Sequence, residues 1–203
     1  MKRDKYIETA IASRNKGKIR EIKSILSGKN IKWLTYLDFK SWPEIEESGS
    51  SYEENALKKA KIVANFTKKP TLAEDSGLEI DYLGGDPGVK SARYAGENST
   101  DLENIKKVLN LMKNCPFEGR IARFRCVAVL YLPNGKFFMS QGKCEGKIDY
   151  SPHGESGFGY DPIFVPEGHS YTMAQIGIEE KNKISHRAKA LKKIWRIVNI
   201  NIS

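Results

Sequence analysis

The sequence predicts an α/β or α+β fold built on a mixed sheet. Three observations carry that expectation. Strand-like runs and helix-like apolar stripes intermix along the whole chain. Two helices open on a hydroxyl residue with a glutamate three positions later, Ser51 with Glu54 and Thr100 with Glu103. Pro133-Asn134-Gly135 separates two long alternating segments, the mark of a hairpin.

Each element follows in order. Tyr6–Ala12 reads as a first strand. Ser13-Arg14-Asn15-Lys16-Gly17-Lys18 is a small, polar, basic turn. From Gly17 to Ser27, Ile19, Ile22, Ile25 and Leu26 form one helical stripe that Gly28 ends. Ile31–Tyr36 is a second strand, and Trp42 to Gly49 an acidic loop. The helix opened by Ser51 turns Ala56, Leu57, Ala60, Val63 and Ala64 inward, and Pro70 breaks it. Thr71–Glu74 is a short buried strand running into Asp75-Ser76-Gly77, and Gly84–Gly88 is a turn-rich loop. The helix over Thr100–Asn114 carries the stripe Leu102, Ile105, Val108, Leu109 and Met112. Arg120–Leu132 alternates, with Arg123 and Arg125 on one face and Phe124, Cys126 and Ala128 on the other; Lys136–Ile148 is its partner strand. Ser151–Pro166 is glycine-rich and studded with aromatics. Ser185 caps a last helix with the stripe Ala188, Leu191, Ile194, Trp195 and Val198.

The 203 residues suit one ordinary domain or two small ones, and the segment Ala95–Thr100 is the candidate hinge between two lobes. No apolar run approaches the roughly 18 residues a membrane helix needs. Met1–Lys5 is basic, but the run behind it contains Glu8 and is too short and polar for a signal peptide. Three widely spaced cysteines argue against a disulfide framework or a zinc site and fit a reducing cytoplasm. Lys and Arg number 34 against 25 Asp and Glu, a formal net charge of +9 that suits a polyanionic partner: nucleic acid, a membrane surface or a phosphorylated small molecule.

Some residues suggest chemistry. The turn Ser13–Lys18 follows a strand and opens a helix, where free N–H groups and a partial positive charge bind anions. Glu46-Glu47 and Glu74-Asp75 sit where regular elements meet loops; brought together, such pairs hold Mg²⁺ through carboxylate oxygens and take a proton from a water. Asn55 and Lys59, four apart, share a helix face. Phe158-Gly159-Tyr160-Asp161 places aromatics in a loop where they can stack on a base. His186 and Arg187 begin the last helix and can read a nucleobase edge. Taken singly, these features also suit a solvated face, a packed loop or a helix cap.

Together they form a pattern. The order Ser13-x-Asn15-x-x-Lys18, Glu46-Glu47-Ser48-Gly49-x-Ser51-Tyr52-x-x-Asn55-Ala56-x-x-Lys59-Ala60, Asp75-Ser76-Gly77-Leu78, Pro87-Gly88-x-x-Ser91-Ala92-Arg93-Tyr94-Ala95-Gly96, Gly157-Phe158-Gly159-Tyr160-Asp161-Pro162-x-Phe164 and Ser185-His186-Arg187 resembles the inosine/xanthosine triphosphate pyrophosphatase family. The matching stretches run from Ala12 to Leu191. The resemblance implies a single domain over residues 1–203, elongated and two-lobed, with a long twisted mixed sheet flanked by helices and a nucleotide cleft between the lobes. It implies a cytoplasmic homodimer that hydrolyses ITP, dITP and XTP to the monophosphate and pyrophosphate with Mg²⁺, and no membrane or nucleic-acid partner.

Carried over residue by residue, Ser13, Arg14, Asn15, Lys16, Gly17 and Lys18 resemble the triphosphate turn. Glu47 matches the metal-binding glutamate, and Lys59 a phosphate-neutralising lysine. Asp75 matches the proton acceptor and a metal ligand, and Ser76 a nucleotide contact. Phe158, Gly159, Tyr160 and Asp161 resemble the sugar-and-base wall, and Lys181, His186 and Arg187 the group that reads base and phosphate. One departure stands out: many members carry two aspartates where this chain has Glu74-Asp75. Two other classes compete with this reading, a basic nucleic-acid-binding module and a phosphatase acting on another nucleotide.

Overall fold

The structure is a computed structural model that describes the backbone of residues 6–202 and the side chains of residues 6–197. The basic start Met1–Lys5 and the Val198 side chain lie outside the described residues. Strands β1 (Ile7–Ile11), β2 (Ile31–Leu34), β3 (Thr71–Ile80), β4 (Ile121–Tyr131), β5 (Phe137–Ile148) and β6 (Phe164–Pro166) make one sheet in the order β2-β1-β3-β4-β5-β6. β1 runs parallel to β2 and to β3, and β6 antiparallel to β5, so the sheet is mixed as expected. The α-helices are α1 (Lys16–Ile25), α2 (Tyr52–Thr67), α3 (Asp101–Leu111), α4 (Ile178–Ile184) and α5 (His186–Ile202).

The chain divides into two compact units. The first holds Met1–Asp75, Val127–Gln141 and Arg187–Ser203; the second holds Ser76–Cys126 and Gly142–His186. The division therefore runs through β3, β4, β5 and the head of α5. The segment Ala95–Thr100, expected as a hinge, lies inside the second unit. It is pinned there: the Asn104 side-chain carbonyl accepts from the Ala95 N–H at 2.7 Å and from the Ser99 hydroxyl at 3.0 Å.

In the first unit, β1 leads through α1 to β2 on one side, and β2 leads back through α2 to β3 on the other side of β1. Right-handed crossovers in opposite directions put α1 and α2 on opposite faces. The carboxyl end of β1 is thus a topological switch point, the place where open α/β sheets bind ligands, and the basic turn Ser13–Lys18 begins there. Asn15 caps α1, accepting the Lys18 N–H at 3.0 Å, and Ser13 Oγ accepts the Asn15 N–H at 3.1 Å. Along α1 and its cap, Ile22 and Leu26 are buried, Ile19 and Ile25 half-buried, and the charged Glu21 is buried with them. Ser51 caps α2 by accepting the Glu54 N–H, while the Glu54 carboxylate accepts from the Ser50 N–H and hydroxyl. The buried face of α2 includes Ala56, Ala60, Val63 and Ala64, with Tyr52, Asn55 and Lys59 among them; Leu57 is half-buried.

β3 corrects the sequence reading. Asp75-Ser76-Gly77 is the middle of a ten-residue strand, not the loop that follows a short one. Serine and glycine suit loops locally, but β3 runs on past the end of β1, which pairs with it only at Thr71 and Leu72, and β4 lies along its other side.

All three tryptophans, Trp33, Trp42 and Trp195, fall in the first unit. Trp195 lines an apolar cavity of about 70 Å³ with Ile7, Leu26, Leu72, Leu130 and Ile194, and its buried indole N–H has no hydrogen-bond partner.

The core of the second unit gathers Leu78, Ile80, Ile105, Val108, Met112, Phe124, Ile148, Ile163 and Phe164. Thr100 and Glu103 form a complete capping box at the head of α3. Leu102, expected on the inner stripe, is 55% exposed, since it stands three residues before the buried Ile105 at the fringe of the packed face. Arg120 is a buried cation held by carbonyls: it donates to Ile148 O, Met112 O, Cys115 O and Asp149 O. Arg123 pairs with Asp81 and Glu145, and Arg125 with Glu79. A short α4 precedes Ser185, in a stretch to which the sequence reading assigns no element. No helix among the described residues is long and apolar enough to cross a membrane.

Candidate active site

Glu74 and Asp75 organise the polar cluster of the first unit. Side chains alternate along a strand, so these neighbours face different helices. Glu74 meets Lys18 of α1 at 3.0 Å and Arg187 of α5 at 3.5 Å. Arg187, 2% exposed, also pairs closely with Glu21 of α1. Asp75 meets α2: Oδ1 accepts from Lys59 Nζ at 2.9 Å, and Oδ2 accepts from Asn55 Nδ2 at 3.2 Å. Lys59 Nζ reaches Glu47 Oε1 as well, at 3.0 Å. The loop that carries Glu47 is tied down next to it, where the Gly49 N–H donates to Asn55 Oδ1 at 2.9 Å.

Burial and charge compete at these groups. Burial pushes Asp75 up, Lys59 and Lys18 pull against it, and the balance stays above the ordinary aspartate value. Burial also opposes ionisation of Glu74, but Arg187, Lys18 and Lys59 override it and hold the carboxyl far below its usual range. Burial works against the charge of Lys18, yet Glu74 and Asp75 raise its ammonium above the ordinary lysine value. Glu47 is lowered, the pull of Lys59 and Lys18 exceeding the cost of burial. The same surroundings therefore lower one carboxyl and leave its neighbour raised.

The donor set fits a hard divalent cation. Glu47 Oε1 and Asp75 Oδ1 both lie within 3.0 Å of one ammonium nitrogen, so they already converge on a cationic point. The Glu47 side chain is also partly open to solvent. Mg²⁺ commonly uses one or two carboxylates and completes its shell with water and phosphate oxygens. Among the described residues no group of three or more His, Cys, Asp or Glu forms an all-protein metal cage.

The second unit holds another polar group. Asp161 is buried, accepting the Phe158 N–H at 2.9 Å and pairing closely with Lys181 of α4. The Lys181 ammonium lies 5.3 Å from the centre of the Phe158 ring. Gly157 makes this turn possible. Its φ is +83°, and a Cβ there would come within 2.0 Å of Asp161 Oδ2. The Gly159 N–H donates to Asp101 Oδ2 at 2.6 Å. Tyr160 turns into the core, its hydroxyl donating to Ser91 O at 2.9 Å, and burial raises its phenol. His186 stacks on Phe124, ring centres 4.7 Å apart and 18° between planes.

The expected residues thus fall into two sets. Lys18, Glu47, Lys59, Asp75 and Arg187 meet in the first unit, beside the turn of Ser13, Arg14, Asn15, Lys16 and Gly17. Ser76, Phe158, Gly159, Tyr160, Asp161, Lys181 and His186 belong to the second. Glu46 is exposed and stands outside the cluster. Sequence reasoning missed Glu21, the partner of Arg187, and Asp101, which holds Gly159. Glu21 left one signal, a glutamate directly beside Ile22 on the inner stripe of α1.

The sequence signature of the Ham1 family matches residues 9–197. A dITP/XTP pyrophosphatase of Geobacter sulfurreducens is 50% identical over 181 residues, covering 89% of this chain and 91% of the relative. One from Bacillus subtilis is 49% identical over 193 residues, covering 94% and 96%. Among solved structures, the Ham1 protein of Staphylococcus aureus superposes with a TM-score of 0.84 at 39% identity, covering 96% of this chain and 99% of that one. A Coxiella burnetii HAM1 protein reaches 0.85 at 42% identity, covering 95% and 98%. The agreement spans nearly the whole chain in sequence and in fold, and on that ground the chain belongs to the Ham1 family.

Proposed function

We propose that the protein hydrolyses non-canonical purine nucleoside triphosphates, dITP, ITP and XTP, to the monophosphate and pyrophosphate, clearing deaminated purines from the nucleotide pool. One observation carries the reading. Asp75, held between Lys59 and Asn55 beside Glu47, stands in a chain half identical to dITP/XTP pyrophosphatases. Asp75 takes a proton from water as the water oxygen bonds to the α-phosphorus. The bond from that phosphorus to the oxygen bridging α and β breaks, and pyrophosphate leaves with the electron pair. A buried aspartate raised above its ordinary value is a better base for this step than an exposed one. Lys18, Lys59 and the free N–H groups at the head of α1 neutralise the phosphates, and positioning with electrostatics supplies most of the acceleration. Mg²⁺, held by Glu47 and Asp75, would supply charge neutralisation and a more acidic water.

In the second unit Phe158 offers its ring to the purine, and Asp161 with Lys181 fixes the turn that presents it. His186 lies at the start of α5 to meet the base edge. Arg187 gives its guanidinium to Glu21 and Glu74, so it shapes the phosphate cluster. The same reading makes the protein a cytoplasmic homodimer, which light scattering tests for assembly and fractionation for location. The nucleic-acid alternative loses support because Arg123 and Arg125, its candidate contacts, are paired with Glu79, Asp81 and Glu145.

The test is turnover of dITP, ITP and XTP against ATP and GTP, with and without Mg²⁺, assaying pyrophosphate and orthophosphate separately. Pyrophosphate from the deaminated substrates well above ATP and GTP is expected. Orthophosphate as the first product would transfer the protein to the phosphatase reading.

A further inference from the structure

Four contacts close a ring in the first unit. Glu47 meets Lys59, Lys59 meets one oxygen of Asp75, Asn55 meets the other, and Asn55 also holds Gly49, two residues after Glu47. Asn55 is 1% exposed and lies one helical turn before Lys59 on α2. It is the member that touches both the loop and the strand while carrying no charge. The loop passes so close that a Cβ on residue 49 would come within 2.5 Å of Asn55 Oδ1 and 3.0 Å of Glu54 Cβ.

We infer that Asn55 is a positioning residue for the proposed hydrolysis: its amide sets the separation between the loop bearing Glu47 and the strand bearing Asp75. The inference rests on the proposed reaction. The chemistry of the side chain explains the choice. The position needs an acceptor toward Gly49 and a donor toward Asp75, and a short amide supplies both from one rigid plane. Aspartate would accept on both sides and set a like charge against Asp75. Leucine would keep the forked outline at a larger volume and bond to neither. With both bonds present, Oδ1 and Oδ2 of Asp75 each have one assigned donor, which fixes the rotation of the carboxylate. A displacement of about 1 Å in such a group costs on the order of 10²-fold in rate.

The experiment compares the wild type with Asn55→Leu and Gly49→Ala, the second displacing the amide without changing its chemistry. Steady-state kinetics on dITP are combined with amide hydrogen exchange. Both variants are expected to lose about 10²-fold in kcat with KM within about 3-fold. Exchange should accelerate at residues 49 and 50 while the later turns of α2 stay protected. Wild-type kcat in either folded variant, or unchanged exchange at residue 49 in Asn55→Leu, would overturn the inference. So would equal loss of protection along all of α2. If Asn55→Leu does not fold, Gly49→Ala decides. If wild type releases no pyrophosphate from dITP, the proposed reaction fails, and the exchange measurement alone judges whether Asn55 ties loop to strand.

Discussion

The two polar clusters differ in reach. In the first unit Lys18, Lys59 and Arg187 bind Glu21, Glu47, Glu74 and Asp75, so that α1, α2, β3, α5 and the loop of Glu47 share one charged network. In the second, the buried pair of Lys181 and Asp161 lies beside the Phe158 ring and holds a single turn. The Glu47 side chain is partly open to water, which suits the first cluster to meeting a cation and phosphate. On the proposed reading, chemistry belongs with the first cluster and stacking on the base with Phe158.

The sharpest test of that contrast is Asp75→Asn. Turnover of dITP should fall about 10²- to 10⁴-fold, the usual worth of a general base, with the circular dichroism spectrum unchanged; near-normal turnover would break the contrast. Arg187→Met comes next. It takes the guanidinium from Glu21 and from Glu74, which keeps Lys18, and a stability loss of about 3–5 kcal/mol is expected from denaturant titration. Phe158→Ala should act on binding instead, raising KM for dITP about 10-fold as a stacking contact worth about 1–3 kcal/mol is lost, with kcat changed far less. Equal falls in kcat for Phe158→Ala and Asp75→Asn would erase the division of labour.

The smallest effect concerns pH. Backbone and hydroxyl hydrogen bonds from Thr100 hold Glu103 below the ordinary glutamate value. A carboxyl lowered in the folded state stabilises above its unfolded value of about 4.3, and that contribution fades as pH falls through the folded value. Glu103→Gln should therefore lower the melting temperature slightly at neutral pH and flatten its decline on the acid side. An unchanged acid slope would remove the capping box from the account of α3.

Local patterns made much of this molecule legible. The caps at Ser51 and Thr100, the hairpin at Pro133–Gly135 and, Leu57 and Leu102 apart, the stripes on α2 and α3 depend on residues a few positions apart, and they stand as read. What escaped depends on distant partners. Glu21 reads as a solvated helix residue until Arg187, 166 positions away, is folded against it. Asp75-Ser76-Gly77 reads as the start of a loop until β4 is laid beside it. α4 carries little apolar surface, and its place is set by Lys181 reaching Asp161. The membership of Asp75 and Lys59 in one site came from the motif order. Their geometry, and the part of Asn55 in it, came only with the fold.

The confinement of every tryptophan to the first unit has an optical consequence. Emission excited at the red edge of the spectrum comes from Trp33, Trp42 and Trp195 alone, so it watches the unit that carries Asp75 and is blind to the one that carries Phe158. Trp195, with its indole N–H unbonded against an apolar cavity, should contribute a blue-shifted component that moves to the red as that wall opens. A melt followed by this emission and by far-ultraviolet dichroism then asks whether the two units let go together. Coincident curves mean one cooperative body. An early fluorescence transition means that the half holding the proposed base is the first to yield.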